Sequence, residues 1–101
     1  MGYGLVVRFT VRDAAAASAF DQLAAETIEE IRAKEPGTLL YAIHSVPGQP
    51  NVRIFYELYV SRSAFEEHER QPHVRRFLTE RAQHLDSFEV TFLNELSSTR
   101  P

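Results

Sequence analysis

The chain has 101 residues, of which 44% are hydrophobic and 25% are charged, a composition typical of one folded domain with a single core. The net charge of −3, with one lysine and no basic cluster, argues against a nucleic-acid partner. The absence of cysteine excludes disulfides and thiolate metal sites and fits a cytoplasmic location. The N-terminus carries neither a signal-peptide pattern nor an apolar run of membrane length, so no membrane partner is expected.

The N-terminal third of the chain predicts a strand followed by a long helix. Residues 4–11 are rich in β-branched and aromatic side chains, which favours a strand. Asp13 is suited to cap a helix over residues 14–35, where apolar residues recur at helical spacing. The dipeptide Pro36-Gly37 ends this helix, because proline disfavours the α conformation before it and glycine permits a turn.

The middle of the chain predicts a hairpin. Residues 38–46 and 52–60 have the composition of strands, and the short segment PGQPN between them is expected to form the loop. Either Ser61 or Ser63 can cap the helix that follows, and Ser63 with Glu66 matches a capping box.

The C-terminal part predicts a broken helix and a last strand. Pro72 interrupts the second helix and fits the first position of a further helix that ends near His84. Residues 88–96 alternate as a strand, and residues 97–101 are expected to fray. The resulting domain spans residues 1–101, with its core at about 4–96.

The element order β-α-β-β-α-β predicts an α+β, ferredoxin-like fold. Its four-stranded antiparallel sheet carries both helices on one face and has the strand order 4-1-3-2. Large apolar residues nevertheless occur on both faces. Val6 and Ile54 project from one face, and Val7 and Phe55 project from the other. Because helices cover only one face, the other is expected to pack against the same face of a second copy, forming a homodimer.

Two charged residues of strands one and three are candidates for a site. Arg8 is expected to meet Glu57 across the ladder, because a charged pair in an apolar sheet must offset its desolvation. Two interpretations remain open: an ion pair that fixes strand register, or a pair that polarises a pocket between sheet and helices.

The histidines are the candidates for acid–base chemistry. His68 and His73 flank Pro72, and a spacing of five does not present both on one helical face. With His44 they could form a three-histidine site, but nothing in the spacing requires one, so no metal is expected. His68 is suited to cap carbonyls at a helix end. His73 can be either a general base or a structural residue.

The aromatic residues are expected to lie mostly in the core, with at least one tyrosine hydroxyl facing a cavity or the dimer interface. The chain has no glycine-rich phosphate loop and no nucleophile elbow. No nucleotide or flavin cofactor is therefore expected.

Three motifs resemble the antibiotic biosynthesis monooxygenase family over nearly the whole chain. They are Glu35-Pro36-Gly37, Tyr56-Glu57-Leu58-Tyr59, and the run from Ser63 through His68 and His73 to Phe77. Tyr59 stands where this family usually has tryptophan. The resemblance implies a homodimer of ferredoxin-like units, a dimeric α+β barrel, with a pocket between sheet and helices in each unit.

The resemblance also implies a quinol-monooxygenase-like activity that uses no cofactor, in which a deprotonated quinol or polyketide-derived phenol supplies electrons to oxygen. His73 or His44 would accept the proton, Tyr59 and Tyr41 would orient the phenolate, and Arg8 would stabilise the anion. The predicted substrate site is completed by four further residues: Phe55, Glu57, His68 and Phe77.

Two alternatives belong to the same fold. A haem-degrading branch requires Asn, Trp and His at the positions of Val7, His68 and Leu78, and none of the three matches. The other alternative is a non-catalytic, stress-responsive or ligand-binding dimer, which needs a pocket but neither a base nor access for oxygen.

Overall fold

A computed structural model describes residues 2–100. The predicted element order is confirmed, with the second helix broken in two. The elements are β1 (Tyr3–Val11), α1 (Ala14–Lys34), β2 (Thr38–Val46), β3 (Gln49–Tyr59), α2 (Arg62–Arg70), α3 (Pro72–Glu80), a 3₁₀ turn (Arg81–His84) and β4 (Leu85–Asn94).

The four strands form one antiparallel sheet in the order β2-β3-β1-β4, which is the predicted 4-1-3-2 order. In the central pair, Leu5 lies opposite Glu57 and Val7 opposite Phe55. This register decides which side chains share a face, because a shift by one residue reverses every side chain.

The hairpin between β2 and β3 is tighter than the sequence suggested. Only Pro47 and Gly48 form the turn, and β3 already begins at Gln49. Gly48 has φ +78°, which is the conformation required at the third position of a type II turn, with proline before it. The prediction that the whole PGQPN segment is loop was therefore wrong.

Local capping sets the helix boundaries. The Asp13 carboxylate accepts a hydrogen bond of 2.8 Å from the Ala16 backbone N–H, as predicted. At α2 the cap is Ser61, whose hydroxyl accepts from the Ala64 N–H at 3.1 Å. Gln71 is extended, with φ −68° and ψ 139°, so α2 and α3 run in different directions on either side of it.

We call the sheet face that carries the helices the inner face and the opposite one the outer face. Phe9 and Phe55 on the inner face pack against Phe20 of α1 and Phe77 of α3, with ring centroids 4.7 to 5.9 Å apart. These contacts form the core of the domain.

The helices leave part of the sheet uncovered. On the outer face Val6, Ile54 and Tyr56 are only half-buried, as expected for a sheet that is apolar on both sides. On the inner face Phe88 and Phe92 of β4 are 49% and 54% exposed. The expectation that helices cover the inner face therefore holds for β1 and β3 but not for β4.

Candidate functional site

A cavity of about 90 Å³ lies between the inner face of the sheet and helices α2 and α3. Its wall is mostly apolar and aromatic, and the exposed Val90 and Phe92 of β4 belong to it, so the cavity opens on that side. Its polar lining consists of Tyr41, Glu57, His68, Glu69 and Arg81. Polar groups converging in an apolar cavity are the usual mark of a ligand site.

Glu57 projects into this cavity from the middle of β3. It is 5% exposed, and the Tyr59 hydroxyl donates a hydrogen bond of 2.6 Å to its Oε1 atom. Burial raises the pKa of Glu57, and the Tyr59 hydrogen bond offsets this only in part. Burial and the nearby Glu57 raise the pKa of Tyr59 as well, so Tyr59 remains a proton donor.

His68 of α2 stands between two buried carboxylates. Its Nδ1 lies 2.6 Å from Oε1 of Glu35, and its Nε2 lies 3.9 Å from Oε1 of Glu57. The imidazole packs against the rings of Tyr41 and Tyr59, with centroids 5.6 and 5.0 Å away. Because Glu35 is not part of the cavity lining, the Nε2 edge is the one that faces the cavity.

Glu35 follows the last residue of α1 and collects hydrogen bonds from three other elements. Besides His68, the Thr38 hydroxyl donates to its Oε1 at 2.8 Å, and Nε2 of His73 contacts its Oε2. Burial raises the pKa of Glu35, but the hydrogen bonds from His68 and His73 outweigh it, so the pKa is lowered overall. Glu35 is therefore a buried, ionised carboxylate.

His68 and His73 do not share a helical face, as their spacing indicated, since they lie on α2 and α3. Both nevertheless reach Glu35, because the extended Gln71 redirects the chain between them. His68 was assigned to capping helix carbonyls, whereas its ring is buried and contacts carboxylates. Helical spacing does not apply across a break.

Arg8 and His44 lie on the outer face, away from the cavity. Arg8 pairs in register with Ile54, not Glu57, and its guanidinium donates to Gln49 at 3.0 Å. The predicted Arg8–Glu57 pair was wrong because the two side chains project from opposite faces of the sheet. His44 is exposed, and its Nδ1 contacts the Ile54 carbonyl at 3.1 Å, so the three histidines do not meet.

The predicted aromatic site residues divide into two groups. Tyr41 and Phe77 line the cavity, as does the unpredicted Phe65. Phe55 and Tyr59 are fully buried behind the lining. Tyr59 therefore acts on the cavity through its hydrogen bond to Glu57.

Arg81 is a lining residue that sequence reasoning missed. Its guanidinium lies over the rings of Phe88, Phe9 and Phe77, at 4.6, 5.4 and 5.7 Å. Glu57 and Glu69 lie near enough to interact electrostatically with the Arg81 guanidinium. Within residues 2–100, however, no carboxylate is hydrogen-bonded to it. The available signal was the spacing from Phe77, since residues four apart share a helix side.

Comparison with known proteins identifies the family. Residues 2–80 match the family described as antibiotic biosynthesis monooxygenase, and the chain belongs to it. A comparison with curated protein sequences gives no match.

Solved structures share the fold. Rv0793 from Mycobacterium tuberculosis is 26% identical, with a TM-score of 0.89 over 99% of this chain and 100% of that one. A Caulobacter crescentus protein that carries the family's name is 21% identical, with a TM-score of 0.89 over 95% of this chain and 91% of its own. PA3566 from Pseudomonas aeruginosa is 21% identical, with a TM-score of 0.84 over 95% of each chain.

Within residues 2–100, no helix is long and apolar enough to cross a membrane.

Proposed function

We propose that this protein is a monooxygenase that oxidises a phenol or quinol with molecular oxygen, the substrate supplying the electrons without flavin or metal. The observation that carries the proposal is the aromatic cavity into which His68 and Arg81 both project. Family membership supports the same reaction class. For a simple phenol the reaction balances as phenol plus O₂ giving quinone plus water.

His68 is the base that the geometry favours. The sequence pointed to His73 or His44, but neither belongs to the cavity lining, whereas His68 does. A neutral His68 with a free Nε2 can take the phenol proton, leaving an electron-rich phenolate for reaction with oxygen.

Arg81 takes the role that the sequence gave to Arg8. A guanidinium in an apolar cavity, without a hydrogen-bonded carboxylate, stabilises a phenolate more strongly than it would in water. Tyr41 is the second group suited to orient the phenolate oxygen, because burial raises the pKa of its hydroxyl and keeps it a donor.

The cavity volume favours a substrate with a single aromatic ring. At about 90 Å³ the cavity is smaller than the roughly 150 Å³ apolar cavity that accommodates benzene in another protein. A single ring can enter with part of its edge in the opening beside Phe92. A fused polycyclic phenol would require larger displacement of the aromatic wall, so we rank single-ring quinols first.

We also propose that the protein acts as a homodimer joined through the outer faces of the two sheets. The half-buried Val6, Ile54 and Tyr56 provide an apolar surface that no helix covers. Light scattering coupled to size-exclusion chromatography tests this. Tyr56→Glu should give a monomer, while Gln22→Glu on the exposed side of α1 should elute as the wild type does. A monomeric wild type at micromolar concentration contradicts the proposal.

Oxygen uptake with a panel of single-ring and fused-ring hydroquinones tests the activity, with His68→Gln as the key variant. We expect uptake above the autoxidation rate, reduced about 10²-fold or more in the variant, as for loss of a general base. His84→Gln is the matched control, because His84 lies in the 3₁₀ turn outside the cavity lining. Saturable ligand binding without uptake would instead identify a binding protein.

A further inference from the structure

One buried carboxylate ties together four elements beside the proposed base. Glu35 follows α1, Thr38 begins β2, His68 belongs to α2 and His73 to α3. Three side chains hydrogen-bond to the Glu35 carboxylate, which is 9% exposed. We call these four residues the Glu35 cluster. The cavity lining contains His68 but none of the other three.

The proton positions in the Glu35 cluster follow from what each group can donate. An ionised carboxylate only accepts hydrogen bonds, so each of its three partners must supply a hydrogen. The Thr38 hydroxyl and Nε2 of His73 supply two of them. The third comes from Nδ1 of His68, at 2.6 Å. A neutral His68 in this arrangement therefore has no proton on Nε2.

We infer that Glu35 is the positioning residue for His68, fixing its Nδ1–H tautomer and so presenting an unprotonated Nε2 to the cavity. His73 supports this role. By donating a hydrogen bond to Oε2 of Glu35, it holds the carboxylate in the orientation that His68 requires. This assignment rests on the proposed function only for what Nε2 then does, and the tautomer can be measured without any substrate.

The positioning role of Glu35 differs from simple packing because it requires a hydrogen-bond acceptor for each histidine. A carboxylate can accept from both histidines at once, whereas the isosteric amide of Glu35→Gln presents one oxygen acceptor and one NH₂ donor. In that variant one of the two histidines must change tautomer to accept a hydrogen bond. A packing role would leave both tautomers unchanged, because the shape of the side chain is preserved.

Long-range ¹H–¹⁵N correlation spectra of the histidine rings are the test, applied to the wild type and to Glu35→Gln. We expect neutral His68 to carry its proton on Nδ1 in the wild type, and one of the pair His68 and His73 to switch in the variant. Glu29→Gln is the control, since Glu29 also precedes the cluster on α1 but is exposed and pairs with Arg32. It should change neither ring.

Two results would overturn the inference: a wild-type His68 with its proton on Nε2, or one protonated on both nitrogens at pH 7. Unchanged tautomers in Glu35→Gln would contradict it as well. The spectra need no turnover, so the inference survives if no phenol is oxidised. A proton on Nε2 would remove His68 as the base, while oxygen uptake would still test the monooxygenase reaction separately.

With an active substrate in hand, kinetics give an independent check. His73→Gln, which keeps an amide donor but not the ring geometry, should lower kcat about 10-fold or more with little change in KM, because a small displacement of the base slows the reaction step. A change in KM alone would indicate an effect on the cavity rather than on the base, and would contradict the positioning role of His73.

Discussion

Glu35 and Glu57 are both buried glutamates next to the same histidine, yet their pKa values move in opposite directions. Burial raises both. Glu35 has donors on both oxygens, and they outweigh burial. Glu57 accepts one strong hydrogen bond, from Tyr59, and burial prevails. Glu57 is also the more deeply buried of the two, so the number of donors and the depth of burial both favour Glu35 as the stabilised anion.

This difference assigns complementary roles around His68. The ionised Glu35 orients the ring from one side, while Glu57, whose anion is penalised, contacts the cavity from the other. A pair of titratable groups whose environments separate their pKa values is the usual arrangement for acid–base chemistry. Of the two carboxylates, Glu57 is thus the one that takes up a proton at the higher pH.

The largest effect is expected when the Glu35 carboxylate is removed, and removal of the Glu57 carboxylate is the comparison. Glu35→Leu strands the hydrogen-bonding groups of His68 and His73 in the interior, so we expect a loss of about 3 kcal/mol or more in the free energy of unfolding. Glu57→Gln keeps an acceptor for Tyr59 and removes a desolvated charge, so its stability at pH 7 should equal or exceed that of the wild type. Urea denaturation measures both. Equal losses in the two variants would contradict the comparison.

The pH dependence of stability gives the next largest effect. Glu35 has a folded-state pKa below its ordinary value of 4.5, so its contribution is present above that pH and is lost as the pH falls through the folded pKa. Glu57 has a raised folded-state pKa. It therefore does not lower the free energy of unfolding below pH 4.5, and it lowers it progressively as the pH rises from 4.5 toward the folded-state pKa.

Thermal unfolding of the glutamine variants between pH 3 and pH 8 separates the two contributions. Glu35→Gln should be destabilised most near neutral pH and approach the wild type in acid. The stability of Glu57→Gln relative to the wild type should increase as the pH rises above 4.5. Parallel curves for either variant would show that its carboxylate does not titrate differently in the folded and unfolded states.

The sequence predicts more of the fold than of the candidate site. The helix break and the Asp13 cap follow from local patterns, and the strand order follows from the topology that the element order matches. All three are confirmed. The Arg8–Glu57 error arose because the face that a residue shares with another strand depends on register, which the pattern of one strand does not give. The family motifs contained Glu35, His68 and His73, but not their contact.

That contact could not be derived from spacing, because Glu35 is separated from the two histidines by 33 and 38 residues. It depends on how α1 ends relative to α2 and α3. Arg81 was missed for a related reason: its aromatic neighbours come from three separate elements. Polar convergence at a site is a tertiary property, and local periodicity does not encode it.

A smaller effect is expected at the donor to Glu57. Tyr59→Phe removes the 2.6 Å hydrogen bond while leaving the ring packed against Phe65 and His68. We expect a loss of about 1–2 kcal/mol in the free energy of unfolding, since the remaining carboxylate is buried with one partner fewer. In Glu57→Gln the same change should cost less, because a neutral acceptor forms a weaker hydrogen bond. A double-mutant cycle measures this coupling, and additive losses would contradict it.

The smallest effect is expected at Thr38, which donates to the Glu35 oxygen that His68 also contacts. Thr38→Val leaves both histidine hydrogen bonds in place, so we expect a loss of only about 1 kcal/mol. Thr27→Val is a matched control, because the Thr27 hydroxyl donates at the same distance, 2.8 Å, to the Leu23 carbonyl within α1.

The two threonine variants should differ in their dependence on pH rather than in size. The Thr38 hydrogen bond strengthens with the charge of Glu35, so its contribution should fall in acid, whereas that of Thr27 should stay constant. Unfolding free energies at pH 3 and pH 7 make the distinction. A Thr38→Val loss that is the same at both values would mean that this donor does not sense the charge of Glu35, leaving the histidines alone to lower its pKa.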